Sequence, residues 1–354
     1  MNVDQFDFNL PDSAIALRPA KPRDAAKLLC VSERGKRSDH HVRDLPALLR
    51  TGDVLVINDT RVLPAAMTAI RPARSHGGGG DVKIGINLHK RVDKDRWRAF
   101  VKPAKRLRCG DKIHLSDKLL ARVSDKKEGG DVELTFNLSG EALDAEITAL
   151  GHPPLPPYIA RQRDADDQDV NDYQTVYAKD RGSVAAPTAG LHFTQSLLAE
   201  LTSKGVQVEA ITLHVGAGTF LPVKTGDTKD HIMHSEWYSL SERTATILNE
   251  AKQSGQRVIA VGTTALRALE SSIVDGKVVS QTRETDIFIT PGYRFWIDGL
   301  MTNFHLPCST LFMLVSAVCG IQTMQDAYRY ALETGYRFYS YGDSSLLWVN
   351  EDVD

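Results

Sequence analysis

This chain of 354 residues lacks the features that mark several common protein classes. It has four cysteines, Cys30, Cys109, Cys308 and Cys319, and no CxxC pair, which argues against both a disulfide framework and a zinc site. No apolar run approaches the roughly 20 residues of a membrane span, and the acidic start MNVDQFDFNLPD is unlike a signal peptide. We therefore expect a cytoplasmic protein with reduced thiols, no membrane partner and no resident metal.

The chain also lacks the usual motifs of nucleotide and acyl chemistry. It contains no Walker A loop, no GxGxxG and no Gly-x-Ser-x-Gly elbow, which disfavours an NTPase, an ordinary dinucleotide enzyme and covalent acyl transfer. What it does contain is AVGTTALRALES, an apolar strand, a Gly-Thr-Thr turn and a helix. Such a turn presents N–H groups and hydroxyls at a helix start, so we consider Thr263, Thr264 and Arg267 as ligand contacts, with an ordinary structural turn as the alternative.

Charge is unevenly distributed although the net charge is only −2. The segment from Arg61 to Lys127 holds 18 Lys and Arg against 6 Asp and Glu, so the rest of the chain is acidic. This asymmetry favours a polyanionic partner on one part of the molecule, although a well-solvated small domain would also explain it. Its densest part, KPAKRLRCGDK with Arg96 and Arg98 upstream, suits phosphate contacts. The candidate nucleic-acid contacts are Arg96, Arg98, Lys102, Lys105, Arg106 and Arg108.

The order of elements predicts an α/β main domain interrupted by an inserted, mainly antiparallel β-barrel domain. Residues 63–150 contain short β-forming runs such as VKIGINL, WRAFV and DVELTF between polar turns, which is typical of a barrel or sandwich. The proline-rich segment 151–162 marks the return to the first domain. We therefore expect the α/β domain over 1–62 and 151–354. Near its end, YRFYSYGDSS predicts a strand over the aromatic residues followed by a turn.

Three stretches join small residues to a histidine beside a glycine or proline turn. They are GSVAAPTAGLHFT (Gly182–Thr194), LHVGAGTF (Leu213–Phe220) and MTNFHLPCSTL (Met301–Leu311). Small side chains let a flat ligand approach the backbone, so these stretches predict a pocket that contains His192, His214 and His305. A fourth stretch, HIMH (His231–His234), shows no third ligand, so hydrogen bonding assisted by Glu236 is favoured over a metal.

Several long motifs resemble one known family. DYQTVYAKDRGSVAAPTAGLHFT, TLHVGAGTFLPV, HIMHSEWY, AVGTTALRALES, FITPGYRF, TNFHLPCSTL and YRFYSYGD occur in the order of the S-adenosylmethionine:tRNA ribosyltransferase-isomerase family of queuosine synthesis. The resemblance extends from FDFNLP near the N-terminus to the end of the chain. It implies an α/β domain with a β-barrel domain, in agreement with the pattern of elements above.

The resemblance also implies a reaction. Members of that family transfer and isomerise the ribosyl part of S-adenosylmethionine onto the aminomethyl group of preQ1 at the tRNA wobble position. The products are epoxyqueuosine-tRNA, adenine and methionine, so S-adenosylmethionine is a consumed co-substrate and no cofactor is permanently bound. The partners are then tRNA carrying preQ1 and S-adenosylmethionine, and we expect a monomer.

Motif positions suggest roles for individual residues in that reaction. His192, His214 and His305 are candidates for proton transfer because an unperturbed imidazole titrates near neutrality, and Asp343 is a candidate to hold an amine or ribose hydroxyls. The candidate substrate contacts are Thr188, Gly190, Gly216, Gly218, Thr219, Thr263, Thr264, Arg267, Asn303 and Tyr341.

Two alternatives to this function belong to other classes. One is a catalytically inactive RNA-binding protein on the same fold, and the other is a nucleosidase-like enzyme that acts on free nucleosides. Pure binding would not require three glycine–histidine turns, and free nucleosides would not require a basic domain.

Overall fold

The computed structural model describes residues 1–75, 80–163, 165–216, 223 and 225–350 of the chain. These residues divide into two compact units. The α/β unit consists of Met1–Arg61, Gln174–Asp180 and Ala186–Asp354, and the barrel unit consists of Val62–Tyr173 and Arg181–Ala185. Residues 151–173, which the sequence analysis assigned to the α/β domain, thus group with the barrel. Among the described residues, no helix is both long enough and apolar enough to span a membrane.

The strands in chain order are β1 (Lys27–Val31), β2 (Arg37–His41), β3 (Val54–Asn58), β4 (Thr60–Val62), β5 (Ala66–Arg71), β6 (Val82–Arg91), β7 (Arg96–Lys102), β8 (Lys112–His114), β9 (Leu120–Lys126), β10 (Asp131–Phe136), β11 (Asp180–Ser183), β12 (Gln207–Leu213), β13 (Glu236–Leu240), β14 (Val258–Val261), β15 (Ile273–Val274), β16 (Lys277–Val278), β17 (Gln281–Thr285), β18 (Gly299–Asn303) and β19 (Ser344–Trp348). The helices are α1 (Leu45–Leu48), α2 (Gly140–Leu150), α3 (Pro157–Ala160), α4 (Asp167–Asp172), α5 (Gln195–Ser203), α6 (Glu242–Gln253), α7 (Thr263–Glu270), α8 (Thr310–Cys319) and α9 (Ile321–Glu333).

The α/β unit is built on a nine-stranded mixed sheet in the order β17-β13-β12-β3-β14-β18-β19-β1-β2. Its centre is parallel, because β12, β3, β14 and β18 pair side by side in one direction. The central strands β3 and β14 are buried along their whole length, as expected for parallel strands that are covered on both faces. The carboxyl ends of these four strands therefore lie along one edge of the sheet.

The barrel unit contains a closed antiparallel barrel in the order β10-β7-β6-β5-β8-β9. Its strands alternate between inward apolar and outward polar residues, as β10 does with Val132, Leu134 and Phe136 buried. This alternation is what the sequence showed, and the predicted fold class, an α/β main domain with an inserted β-barrel, is confirmed.

The C-terminal aromatic segment differs from the sequence prediction. The strand is β19, which begins at Ser344, whereas most of the segment from Tyr336 to Asp343 is irregular. Phe338 and Tyr341 are buried, so the alternating apolar pattern correctly indicated burial but wrongly indicated a strand. The reason is a tight turn: a Cβ on Gly342 would lie 2.4 Å from the carbonyl oxygen of Arg337.

Candidate functional site

The site lies at the carboxyl edge of the parallel part of the sheet in the α/β unit. Four strands end there next to one another, and each is followed by a polar residue or a turn: Asn58 ends β3, His214 follows β12, Gly262 follows β14 and Asn303 ends β18. Ligands of open α/β sheets bind at this edge because the loops after the strands converge there.

A cavity with about 550 Å³ of space between protein atoms, its solvent-facing part included, opens at this edge. Its wall consists of Ala186, Pro187, Thr188, Ala189, Val215, Gly262, Thr263, Thr264, Thr302, Asn303, Phe304, His305, Leu311, Tyr339 and Ser340. Thr188, Thr263, Thr264, Asn303 and His305 were predicted site residues, so all three small-residue stretches and the Gly-Thr-Thr turn contribute to this wall. Among the described residues, the wall holds no Asp, Glu, Lys or Arg, and its polar side chains carry hydroxyls, an amide and an imidazole.

The turn after β14 brings small residues close together. Gly262 has φ +91°, a conformation that side chains rarely adopt, and a Cβ there would lie 3.4 Å from the Cβ of Ala189. Thr263 then begins α7 directly at the cavity wall. The glycine therefore lets the helix start against the Thr188–His192 turn.

A chain of hydrogen bonds connects the cavity wall to His192. The Thr188 hydroxyl donates to Asn303 Oδ1 at 3.0 Å, and Asn303 Nδ2 lies 3.2 Å from His192 Nε2. An amide nitrogen can only donate, so Nε2 is the acceptor and His192 carries its proton on Nδ1. Burial lowers the pKa of His192 to about 4, although the charge of Asp343 acts in the opposite direction. His192 is therefore a neutral support of Asn303.

His305 lies in the cavity wall but is also enclosed. Its Nε2 lies 3.2 Å from the Thr302 hydroxyl, and its backbone N–H donates to the Tyr328 hydroxyl at 3.0 Å. Burial lowers the pKa of His305 to about 3. It thus offers a neutral ring to a ligand, and its protonation near pH 7 would be costly.

His214 has a more open environment. Its Nδ1 lies 2.9 Å from the Thr60 hydroxyl, and its ring stacks on Trp237 with centroids 4.7 Å apart and planes inclined by 19°. Burial lowers its pKa, while the nearby charge of Asp180 raises it. His214 does not line the cavity itself, but it directly precedes Val215, which does.

Asn58 is a central residue of this edge that the sequence analysis missed. Its Nδ2 donates to the Leu213 carbonyl at 3.0 Å and to the Thr264 hydroxyl at 3.1 Å, and its Oδ1 accepts from the N–H groups of Leu213 and Thr60. One side chain thereby ties together β12, β3 and the start of α7. The available signal was a fully buried amide at the end of the apolar run DVLVIN, because a buried amide needs partners.

Arg267 does not face the cavity. Its guanidinium forms a buried ion pair with Glu236, and its Nε donates to the Ile287 carbonyl at 3.2 Å. The other Glu236 oxygen accepts the N–H of Gly216 at 2.9 Å. The carboxylate thus joins β13 to α7 and to the loop after β12, whereas the sequence analysis expected Glu236 to orient a histidine.

Asp343 also lies outside the cavity wall. Its oxygens accept the N–H groups of Lys27 and Arg337 at 3.1 and 2.8 Å, and the Arg337 guanidinium donates to it at 3.0 Å. Tyr341 is 1% exposed and does not line the cavity either. These contacts describe a carboxylate that holds the irregular segment before β19 in place.

For the other predicted residues near the pocket, the structure gives a packing role or no description. Gly190 is explained by packing, because a Cβ there would lie 2.0 Å from the Tyr177 hydroxyl oxygen. Gly218 and Thr219 lie outside the described residues. His231 packs edge-on against Phe288 with centroids 5.2 Å apart, and the described part of the chain contains no group of three His, Cys, Asp or Glu that could hold a metal ion.

In the barrel unit, the predicted nucleic-acid contacts separate into two groups. Arg98 on β7 is 12% exposed and pairs with Asp131 at 2.9 Å and with Asp125 at 3.5 Å, and Arg96 pairs with Asp93 and Glu133. By contrast, the side chains of the second group are exposed and show no ion pair with the described residues. These are Lys102, Lys105, Arg106 and Arg108, defined here as the basic loop group.

The geometry defines an α/β ligand-binding protein with an inserted barrel, and comparisons with known proteins give its family. A family model described as "Queuosine biosynthesis protein" matches residues 3–347. The chain belongs to this family.

Two similar proteins carry the same name, and a similar solved structure carries a related one. S-adenosylmethionine:tRNA ribosyltransferase-isomerase of Maricaulis maris (strain MCS10) is 60% identical over 349 residues, which cover 98% of this chain and 99% of that protein. The protein of the same name from Methylocella silvestris is 57% identical over 358 residues, with 98% of both chains covered. The crystal structure of S-adenosylmethionine tRNA ribosyltransferase from Thermotoga maritima matches with a TM-score of 0.54 and 31% identity, over 97% of this chain and 99% of that chain.

Proposed function

We propose that this protein is an S-adenosylmethionine:tRNA ribosyltransferase-isomerase. It transfers and isomerises the ribosyl group of S-adenosylmethionine onto the aminomethyl group of preQ1 at the tRNA wobble position, and it releases adenine and methionine. S-adenosylmethionine is consumed as a co-substrate, and no permanently bound cofactor takes part. The observation that carries this proposal is the neutral cavity at the carboxyl edge of the sheet, together with full-length similarity to proteins of that name.

The cavity wall suits a ribosyl group and an uncharged base. Thr188, Thr263, Thr264 and Asn303 present hydroxyl and amide groups, which bind sugar hydroxyls and base edges by hydrogen bonds without a charge. His305 in the same wall supplies a neutral ring, and His192 fixes the Asn303 amide. We assign the first four residues to substrate binding.

Arg267 and Asp343 act in this proposal by holding the site together. Arg267 keeps Glu236 in place, and Glu236 accepts the N–H of Gly216, which follows β12. Asp343 anchors the segment that contains Tyr339 and Ser340, two residues of the cavity wall. Substitution of either residue should therefore disturb the cavity through packing.

The basic loop group binds the phosphates of the tRNA. Its four side chains are exposed and carry no competing ion pair within the described structure, so their charges are available to a polyanion. Arg96 and Arg98 contribute less, because acidic partners on neighbouring strands already neutralise them. In this proposal the protein acts as a monomer in the cytoplasm.

The test is release of adenine from S-adenosylmethionine with and without tRNA that contains preQ1. The proposal expects adenine only with the modified tRNA, together with a matching mass gain on that tRNA. Adenine without any tRNA would replace it with a nucleosidase-like activity. Binding of the tRNA without any adenine would replace it with an RNA-binding function.

A further inference from the structure

A second cavity opens at the edge of the sheet opposite the candidate functional site. Strands β1 and β19 pair in parallel, and β19 pairs antiparallel with β18, so both run against β14 and β18. Their carboxyl ends therefore lie at the edge where β14 begins, and we call the space there the amino-edge cavity. It has about 720 Å³ of space between protein atoms, its solvent-facing part included, which is of the order of ligand pockets, roughly 300–1,000 Å³.

One part of the wall of the amino-edge cavity is apolar. Cys30 on β1, Leu48 at the end of α1 and Leu346 on β19 line it. Burial raises the pKa of Cys30 to about 12, so its thiol stays protonated and uncharged. Trp348, at the end of β19, adds an aromatic ring to the same wall. A Cβ on Gly299, its partner in the β18–β19 ladder, would lie only 3.1 Å from the indole, so the glycine lets the ring pack closely against β18.

Arg257 lies directly before β14 and is fixed in the wall by two contacts. Its Nε and Nη2 donate to the two carboxylate oxygens of Asp53 at 3.0 and 2.5 Å. Its Cζ lies 4.2 Å from the centre of the Trp348 ring. Among the described residues, Nη1 has no hydrogen-bond partner. A guanidinium that is already held at one edge and on one face can bind an anion through its remaining nitrogen with little further loss of side-chain freedom.

The hairpin of β1 and β2 supplies the rest of the polar wall. Ser32 follows β1, and Lys36 precedes β2, which begins with Arg37 and Ser38. The side chains of Lys36 and Arg37 are exposed and show no ion pair among the described residues. Arg37 Nη1 donates to the Asp326 carbonyl at 2.7 Å, which positions the guanidinium without neutralising its charge. Ser32 Oγ accepts the Lys36 N–H at 3.0 Å, so its own proton can go to another acceptor.

The charges of this wall are unbalanced. It contains three cationic side chains, and among the described residues it contains no Asp or Glu. Asp53 pairs with Arg257 from outside the wall. Two further carboxylates, Asp39 and Asp44, act by their charge on Cys30 in addition to its burial, but Asp39 accepts two tyrosine hydroxyls and Asp44 a backbone N–H. The two cations of the hairpin therefore carry the unpaired positive charge of the wall.

We propose that the amino-edge cavity binds a nucleotide, with Lys36, Arg37 and Arg257 on its phosphate and the apolar wall against its base. Phosphate oxygens suit ammonium and guanidinium donors, and a flat base suits an apolar wall beside them. Two sources offer this chemistry: a free nucleoside monophosphate and a nucleotide of an RNA chain. The inference goes beyond the proposed function and does not depend on it, because this cavity lies at the other edge of the sheet.

The test follows the indole N–H of Trp348 by NMR in the ¹⁵N-labelled full-length protein. The chain has four tryptophans, and the Trp348 signal is assigned by its loss in Trp348→Phe. The probe is cytidine 5′-monophosphate, which lacks the adenine that belongs to the reaction at the other edge. We expect a saturable shift of the Trp348 signal. Cytidine, without the phosphate, and inorganic phosphate, without the base, should each bind at least about 10-fold more weakly.

Two double variants separate the site from general electrostatic attraction. Lys36→Ala combined with Arg37→Ala removes both unpaired cations and should weaken binding of the monophosphate about 10- to 100-fold. The matched control, Arg243→Ala combined with Lys277→Ala, removes two exposed cations elsewhere in the same unit and should leave the affinity within about twofold. Arg257→Lys keeps the charge but not the planar fork, and it should weaken binding about 3- to 10-fold.

Transfer RNA added to the wild type with bound monophosphate decides the source of the nucleotide. Displacement of the monophosphate, with weaker tRNA binding by the first double variant than by the control, would assign the cavity to RNA. No displacement would assign it to a free nucleotide.

The inference would be overturned by a Trp348 signal that moves with neither the monophosphate nor tRNA. Equal binding of these ligands by the two double variants would overturn it as well. A failure of the wild type to release adenine would contradict the proposed function alone, because none of these measurements uses the reaction.

Discussion

Titratable groups shielded from solvent have opposite charge states at the carboxyl edge of the sheet in the α/β unit and in the wall of the barrel. At the cavity edge, His192 and His305 are kept neutral, because burial lowers their pKa values. In the barrel wall, burial would raise the pKa of Asp131, but hydrogen bonds from Arg98 and His89 lower it, so this carboxylate stays charged and paired.

This difference shows what each region can offer a ligand. A neutral edge binds through the direction of its hydrogen bonds and requires a close fit of polar atoms. Arginines that are paired with carboxylates attract a polyanion only weakly, whereas the exposed side chains of the basic loop group show no ion pair within the described structure. The high arginine content of the barrel therefore overstates the number of residues available for nucleic acid.

The largest effect is expected from Asn303→Ala. This change leaves His192 Nε2 without its partner in a buried place, at a cost of about 1–3 kcal/mol, and it removes the acceptor of the half-buried Thr188 hydroxyl. We expect adenine release to fall about 100-fold, in the range of the loss of an oriented polar contact. The matched control is Asn137→Ala in the barrel, where the exposed amide also makes two hydrogen bonds that water can replace. If Asn303→Ala and Asn137→Ala lowered the rate of adenine release equally, the proposed role of the buried Asn303 amide in the site would be contradicted.

The neutral histidines predict a stability that depends on pH. The ordinary pKa of a histidine is 6.5, against about 4 for His192 and about 3 for His305 in the folded protein. Above pH 6.5 neither the folded nor the unfolded state takes up these protons. As the pH falls below 6.5, the unfolded chain binds them first, so each histidine lowers the unfolding free energy by about 1.4 kcal/mol per pH unit. Denaturant unfolding at pH 7, 6 and 5 measures this slope.

The control for that slope is a chain in which one histidine cannot titrate. His192→Gln keeps a hydrogen-bonding side chain at this place. It should reduce the slope of unfolding free energy against pH by about 1.4 kcal/mol per pH unit, the contribution of one histidine. A slope that is unchanged in His192→Gln would show that His192 does not titrate differently in the two states.

Removal of the basic loop group should weaken tRNA binding without affecting the fold. With Lys102, Lys105, Arg106 and Arg108 all changed to Ala, we expect affinity to fall about 10- to 100-fold at low salt. The slope of log affinity against log salt should become shallower by about 3, because about 0.7–0.9 counterion is released for each phosphate contact. Thermal stability and the binding of S-adenosylmethionine should stay unchanged. An unaltered salt slope would remove these residues from the tRNA contact.

Arg98→Ala should give the smallest effect, and it should change the stability of the fold and not the affinity for tRNA. Its guanidinium pairs with Asp131 on the neighbouring strand β10 and with Asp125 on β9, so its loss should lower the unfolding free energy by about 1 kcal/mol. The affinity for tRNA should change less than twofold. A loss of affinity as large as that of the fourfold variant would mean that the paired arginine also binds RNA.

Local sequence patterns were sufficient to predict the fold class and part of the cavity. Alternation identified the barrel strands, and turns of small residues identified Thr188, Asn303 and the Gly-Thr-Thr start of α7. These features depend on neighbours within a few residues, and their geometry follows from the residue types themselves.

Features that depend on partners far along the chain were not predictable in this way. Arg98 faces Glu133 across the β7–β10 ladder, next to Asp131, and only the strand register reveals its acidic neighbours. Asp343 accepts the backbone N–H of Lys27, which lies more than three hundred residues away in the chain. Asn58 was overlooked because its partners come from three separate segments.

The way the barrel is connected has an evolutionary consequence. The chain leaves the α/β unit after Arg61 and is within it again from Gln174 onward, except for the short segment Arg181–Ala185, which groups with the barrel. The carbonyl of Asp59 there accepts the N–H groups of both Lys179 and Asp180, so the two ends of the excursion are bound to each other inside the host unit. A module whose ends meet in this way can be gained, lost or exchanged in one genetic event, without rethreading the sheet that receives it.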